Sequence, residues 1–279
     1  MAWWGKLLGG AFGFMLGGPL GAILGAALGH QYDKGLKALP GAGQRQVPPD
    51  QQELNQTAFF TATFAVMGHI AKADGVVTPD EIRFAEAVMQ QMDLTQEQRA
   101  TAINLFREGK REKFRLDEVL DQFHSQIGRQ RNLVRMFMEI QVQAAYGDGK
   151  KHAAEHRILE SISKRLGISA IELGMIEQMV IASMHFQQRE QRQQDRGRGR
   201  TRSTATGVGS LSDAYAILEI DKSASDGEVK KAYRRMLSRH HPDKLASRGL
   251  PEEMMKMAAE KTHRIKQAYE MLKQSRGMR

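Results

Sequence analysis

The chain has 279 residues, with 41 Lys+Arg against 32 Asp+Glu, 41% hydrophobic residues and no cysteine. That length suits about two domains, each able to bury a core, and the lack of cysteine excludes a disulfide framework, a thiolate zinc site, an iron–sulfur cluster and a thiol nucleophile. A net charge of +9 fits nucleic acid, an anionic membrane or an acidic protein partner, and only its distribution separates these.

Counted as Lys+Arg minus Asp+Glu, the charge is +3 over residues 1–45 (4 minus 1), −3 over 46–186 (16 minus 19), +4 over 187–210 (6 minus 2) and +5 over 211–279 (15 minus 10). Three basic regions therefore surround an acidic one, and each has its own cause.

Residues 1–31 form an N-terminal tail and a single transmembrane helix. No Asp, Glu, Lys or Arg lies between Lys6 and Asp33, and the 23 residues from Leu7 to Gly29 would reach about 34 Å as a helix, enough for a hydrocarbon core of about 30 Å. Trp3 and Trp4 before the run and Tyr32 after it stand where an interfacial aromatic belt belongs. The run is long for a signal peptide and lacks a small-residue cleavage site. Gly9, Gly13, Gly17, Gly21, Gly25 and Gly29 recur every four residues, a small-residue stripe that predicts a homodimer through this helix. Lys34, Lys37 and Arg45 follow the span, against Lys6 and the amino terminus before it. That bias puts the short N-terminus in the periplasm and the C-terminal domains in the cytoplasm, with the lipid bilayer of the inner membrane as a partner.

Residues 32–54, rich in Pro and Gly, read as a linker. From 55 to 186 the period is helical, as in Phe60, Phe64, Met67, Ile70 and Ala71, with no alternating strand pattern. Thr78-Pro79-Asp80-Glu81, Thr95 with Gln98, and Ser169 with Glu172 are capping boxes, and Gly167 suits a helix end. A shift of 74 residues lays Ala71, Asp74, Gly75 and Glu81 on Ala145, Asp148, Gly149 and Glu155, and Met92, Leu94 and Thr95 on Leu166, Ile168 and Ser169. This period predicts duplicated helical hairpins in one bundle. The paired motifs, Ala71-Lys72-Ala73-Asp74-Gly75 with Glu81 and Tyr146-Gly147-Asp148-Gly149 with Glu155, resemble the tellurite-resistance TerB-like helical domain. The acids lack the ligand spacing of a calcium loop and take turn and cap roles; no metal is assigned. His69, His124, His152 and His156 read as surface residues.

Residues 187–210 are a flexible Gln/Arg-rich linker, too polar to bury a core. Its Arg196-Gly197-Arg198-Gly199-Arg200 run lacks interleaved aromatics, so no nucleic acid partner is expected.

Residues 211–279 return to helical order. Ser225 to Glu228 is a capping box for a helix from about Asp226 to His240, and a last helix begins near Pro251 with Ile265, Ala268, Tyr269 and Leu272 on one face. Pro242 ends the first of these helices and pushes His241 out of the α region. Lys230, Lys231, Arg234, Arg235 and Arg239 gather into a basic stripe ahead of that corner. Asp213-Ala214-Tyr215-Ala216-Ile217-Leu218, Lys231-Ala232-Tyr233-Arg234-Arg235, His241-Pro242-Asp243-Lys244 and Gln267-Ala268-Tyr269-Glu270-Met271-Leu272 resemble, in order and spacing, the four signature blocks of a J-domain. Glu219 stands where many J-domains have Gly, and Leu245–Met257 is longer than the usual loop.

The whole chain is thus similar to the membrane-anchored DnaJ-like co-chaperones of Gram-negative bacteria. An all-α fold is expected: a single N-terminal transmembrane helix, a TerB-like helical bundle and a C-terminal J-domain hairpin. The resemblance implies a non-enzymatic module, without cofactor or catalytic residue, that binds a DnaK-type chaperone and stimulates its ATPase. His241, Pro242 and Asp243 would activate, while Tyr233, Lys230, Lys231, Arg234, Arg235 and Arg239 would dock. It also implies control of envelope-stress or capsular polysaccharide signalling. The alternative is a membrane-anchored adaptor or ion-stress sensor acting mainly through the TerB-like domain.

Overall fold

The computed structural model describes residues 17–32, 51–73, 86, 88–92, 94–147, 152–196 and 210–278. Among these residues the regular elements are helices and no strand is present, as the all-α expectation requires. The chain divides into two compact units, Met1–Ser169 with Leu245–Lys256, and Ala170–Lys244 with Met257–Arg279.

The first unit contains α1 (Gly18–Tyr32), α2 (Gln51–Ala71), α3 (Gln96–Gly109), α4 (Leu116–Ile127), α5 (Arg131–Ala145) and α6 (Ala153–Arg165). Every residue of α2 from Asn55 to Gly68 is buried, so this helix has no solvent face and α3, α4 and α5 pack around it. Phe59 of α2 meets Phe123 of α4 and Phe137 of α5 at ring-centroid distances of 6.1 and 6.2 Å, and the latter two rings lie 4.4 Å apart. Gln141 closes a polar gap in this core by donating from Nε2 to the carbonyl of Thr63 at 3.2 Å. Arg135 and Glu139, one turn apart on α5 and both buried, pair at 3.1 Å.

The crossing of α2 and α3 is set by two glycines. A Cβ on Gly68 would lie 2.0 Å from the carbonyl oxygen of Phe106, and one on Gly109 would lie 1.8 Å from that of Ala65. Backbone therefore touches backbone. Beside this contact His69, read from the sequence as a surface residue, is half-buried with its ring 5.2 Å from that of Phe114.

The internal repeat has a structural counterpart. Helices α2 and α5 end at Ala71 and Ala145, and α3 and α7 (Ala170–Arg196) start at Gln96 and Ala170, both pairs separated by the 74 residues of the sequence shift. Thr95 caps α3 through the expected box, accepting from Gln98 N–H at 3.2 Å while Thr95 N–H donates to Gln98 Oε1 at 2.8 Å. Gly167, at φ 68°, ends α6 with Ile168 N–H donating to Ser163 O at 2.8 Å. Thr78-Pro79-Asp80-Glu81, Asp148 and Gly149 lie outside the described residues.

The N-terminal segment differs from one unbroken helix over Leu7 to Gly29. Gly17 and Gly18 sit in the left-handed region at φ 55° and 57°, and α1 starts there; a run of such residues cannot continue a right-handed helix from Gly17 backwards. Among the described residues no helix is long and apolar enough to cross a membrane. Leu20, Leu24 and Ala27 of α1 are fully buried. Gln122 of α4 accepts from Leu20 N–H at 2.8 Å and donates to Gly17 O at 2.9 Å, and Asn104 of α3 donates to Ala27 O at 2.9 Å. Of the glycine stripe, Gly21 is buried, Gly25 is exposed with nothing within 4 Å of a built Cβ, and Gly29 lies in α1. Gly9 and Gly13 lie outside the described residues.

The second unit contains α7, α8 (Leu211–Ile217), α9 (Asp226–His240), most of α10 (Pro242–Ala246) and α11 (Met255–Ser275) from Met257 onward. Helix α7 continues to Arg196, ten residues into the segment read as a flexible linker. Gln, Arg and Glu are good helix formers even where they bury nothing, and here they also find partners: Arg189 and His185 each lie 3.6 Å from the Asp213 carboxylate, and Arg264 donates to Gln187 Oε1 at 3.0 Å. Val229, Ala232 and Met236 of α9, Ala214 and Ile217 of α8, and Ile265, Ala268 and Leu272 of α11 are among the buried apolar residues of these helices.

Two predictions follow from the α2–α3 contact. Gly109→Ala must push the two helices apart, and overpacking of this kind costs about 1–3 kcal/mol, read as a lower urea midpoint with unchanged helical content. Burial holds the His69 pKa below its ordinary 6.5, against a backbone hydrogen bond with Gly109 that raises it. The unfolded chain then takes up the proton first as pH falls, so this residue's contribution is complete above 6.5 and is lost below it. The urea midpoint should fall between about pH 7.5 and about pH 5.5, and His69→Gln should shrink that fall.

Candidate functional site

Three signals in the sequence build the site on α9. Ser225 caps the helix, accepting from Glu228 N–H at 3.4 Å, while Ser225 N–H donates to Glu228 Oε2 at 2.7 Å; that bond and the Ser225 hydroxyl hold the Glu228 carboxyl below the usual carboxylate range. The helix then runs to His240, the span read from the sequence. His241 follows in an extended conformation, φ −61° and ψ 123°, because the Pro242 ring excludes the α region for the residue before it.

The corner presents its side chains outward. His241 and Asp243 keep 49% and 87% of their side-chain surface exposed, and Pro242 is half-buried. The Asp243 N–H donates to His241 Nδ1 at 3.2 Å, which orients the imidazole, and the Asp243 carboxylate stands 3.9 Å from the same nitrogen. Lys244 reaches back to donate to Ser238 Oγ at 2.7 Å. Behind the corner, Thr262 of α11 donates to the carbonyl of His240 at 3.1 Å and so ties the end of α9 to the opposite helix.

The basic stripe divides. Lys230, Lys231, Arg234 and Arg235 are exposed, and Arg239 is half-buried. Arg235 also donates to the carbonyls of Leu218 and Glu219, both at 3.3 Å, and partial burial followed by the charge of Arg239 lowers its pKa. Arg239 pairs with the Glu219 carboxylate at 2.8 Å, and that carboxylate is only 4% exposed. Two of the five cations are thus spent on fastening α9 to the end of α8. Tyr233 is half-buried and stacks on Tyr269 of α11 with ring centroids 4.0 Å apart and planes at 10°. Burial, then Glu270 and Tyr269, raises its pKa, so the phenol stays protonated at neutral pH.

Glu219 explains a departure noted in the sequence. It is the non-glycine residue with positive φ, 54°, among those described, at the position where many J-domains carry Gly. The left-handed conformation costs a residue with a Cβ about 1–2 kcal/mol, and the ion pair with Arg239 is what the glutamate brings in exchange. No sequence signal marked this pairing, because Glu219 and Arg239 are twenty residues apart on different elements.

Of the acids weighed as a cation site, Asp74, Glu81 and Asp148 lie outside the described residues, and Glu155 is buried at the start of α6. Among the described residues no three His, Asp or Glu side chains gather as a metal site.

Three family models match the chain: one described as the co-chaperone DjlA transmembrane domain over residues 1–39, one as tellurite resistance protein TerB over 60–178, and one as the DnaJ domain over 213–277. Curated relatives match along the full length. The co-chaperone protein DjlA of Photobacterium profundum is 42% identical over 279 residues, covering 99% of this chain and all of the relative. That of Coxiella burnetii is 42% identical over 283 residues, and that of Shewanella oneidensis 43% over 279, each covering 100% of both chains. No solved structure matches.

The strained glutamate gives a test of the site's scaffold. Glu219→Ala keeps the left-handed strain and loses the ion pair, whereas Glu219→Gly loses the pair and the strain together. The glycine variant should be the more stable of the two by about 1 kcal/mol, measured by urea unfolding of the full chain; equal stabilities would count against the strain.

Proposed function

The chain belongs to the DjlA family of membrane-anchored co-chaperones, and on that footing we propose that it docks a DnaK-type chaperone through α9 and stimulates its ATP hydrolysis with His241, Pro242 and Asp243. The observation that carries this reading is the exposed His-Pro-Asp corner set by Pro242 at the end of a helix whose outer face bears Lys230, Lys231 and Arg234.

The physical steps follow from that geometry. A compact cationic face meeting an acidic surface gives fast, salt-sensitive and fairly weak association. Once docked, His241 and Asp243 bias a conformational equilibrium in the partner by contacting one of its states better than the other. The chain itself performs no bond chemistry and requires no cofactor. Tyr233 supports the face by stacking on Tyr269, and Arg235 and Arg239 support it from behind.

The apolar N-terminal segment supplies the anchor. Its placement in the inner membrane, with the short N-terminus periplasmic and the domains cytoplasmic, follows from Lys34, Lys37 and Arg45 on the C-terminal side. Homodimerisation through the glycine stripe fits the open space beside Gly25. Recruiting a chaperone to this surface would serve envelope-stress or capsular polysaccharide signalling.

The test uses the full chain in detergent or nanodiscs with a DnaK-type ATPase. His241→Gln should abolish stimulation with folding intact, since it removes the group that acts after docking. Lys231→Glu with Arg234→Glu should instead raise the half-maximal concentration about tenfold and flatten its salt dependence. Unchanged stimulation by the His241 variant would sink the reading.

A further inference from the structure

The loop after the His-Pro-Asp corner, singled out above for its length, has partners that a J-domain alone does not supply. Residues Leu245–Lys256 belong to the first compact unit. Leu245, Leu250 and Met254 are fully buried, and Pro251 is buried beside them.

The polar contacts come from side-chain amides on the middle helices. Gln52 and Gln56 of α2 donate from Nε2 to the carbonyls of Ala246 and Leu250 at 3.3 and 3.5 Å. Gln98 of α3 donates from Nε2 to the Glu253 carboxylate while its Oε1 completes the Thr95 cap. Gln56 and Gln98 are only 6% and 3% exposed, and a buried amide is costly unless its hydrogens are bonded. The loop provides those acceptors. Gly249, at φ +101°, fits the same face so closely that a Cβ would stand 2.7 Å from Cβ of Asn55.

We propose that the face formed by Gln52, Asn55, Gln56 and Gln98 is a receptor for the chain's own loop Leu245–Lys256, and that by holding it the TerB-like domain tunes the His-Pro-Asp corner. Asp243 and the clasped Leu245 lie two residues apart within the single helical segment α10. Holding Leu245 therefore orders Asp243 through the continuous backbone of that segment. A partner that meets a pre-ordered corner loses less conformational entropy on binding. This second half of the proposal rests on the co-chaperone reading.

The experiment compares full-length wild type, Gln98→Glu, Gln56→Leu, and Gln98→Glu combined with Glu253→Gln. Gln98→Glu keeps the acceptor that caps α3 but removes the donor and sets a carboxylate against Glu253; the double variant restores the bond with its direction reversed. Amide hydrogen exchange of residues 246–254 should quicken roughly tenfold in both single variants, with protection of α3 and α9 unchanged, and return towards wild type in the double variant. The DnaK concentration for half-maximal ATPase stimulation should rise with it while the plateau holds. Unchanged loop exchange in both single variants overturns the proposal, as does faster exchange with an unaltered DnaK concentration dependence. An inactive wild type would instead mark failure of the co-chaperone reading.

Discussion

Pro242 is the constraint on which the functional face depends. It has no N–H to continue the ladder of α9, and its ring pushes His241 into the extended region, so the helix stops at His240 and His241 and Asp243 stand exposed on either side of the half-buried proline. A helix that ran on would carry His241 and Asp243 around its circumference, some 100° per residue. The corner also needs a fixed floor, which Thr262 gives by bonding the last carbonyl of α9 from the opposite helix.

Holding that corner costs the domain some of its charge. Arg235 and Arg239 belong by spacing to the basic stripe, yet their guanidinium groups turn to the end of α8, one onto two carbonyls and the other onto Glu219. Arginine suits the work because its forked donors hold geometry as well as charge. Lys230, Lys231 and Arg234, whose side chains are not turned to the end of α8, make a smaller positive face than the stripe in the sequence, with Arg235 still exposed beside them.

Much of this was legible because it is local. Capping boxes at Thr95 and Ser225 fixed helix starts, Pro242 fixed a helix end, and the 74-residue shift marked equivalent boundaries at Ala71 and Ala145. What stayed hidden is the pairing of distant residues. Gly68 and Gly109 give no sign alone that two backbones touch there, and Glu219 gives none that Arg239 will hold it in a left-handed conformation. Composition alone also missed a boundary: the polar run from Gln187 reads as a tether, but α7 extends ten residues into it, to Arg196, because its residues are good helix formers and Gln187 and Arg189 find partners. In the apolar N-terminal run the four-residue glycine spacing gave no sign that Gly17 and Gly18 are left-handed where α1 begins.

The same contrast bears on what a TerB-like domain contributes. Its core is assembled around a helix without a solvent face, and glutamine amides at the edge of that core are bonded by a segment from some 200 residues further along the chain. Burying an amide and satisfying it from a distant loop is a demanding arrangement, since either partner alone would leave polar groups unpaired. Apolar side chains would fill the same space with fewer conditions. The polar choice makes the contact directional: it accepts Gly249 in close approach, the carbonyls of Ala246 and Leu250, and the carboxylate of Glu253, and rejects a loop out of register. Register is what the corner needs, because a shift of one residue in the loop would displace Asp243 by one step of α10.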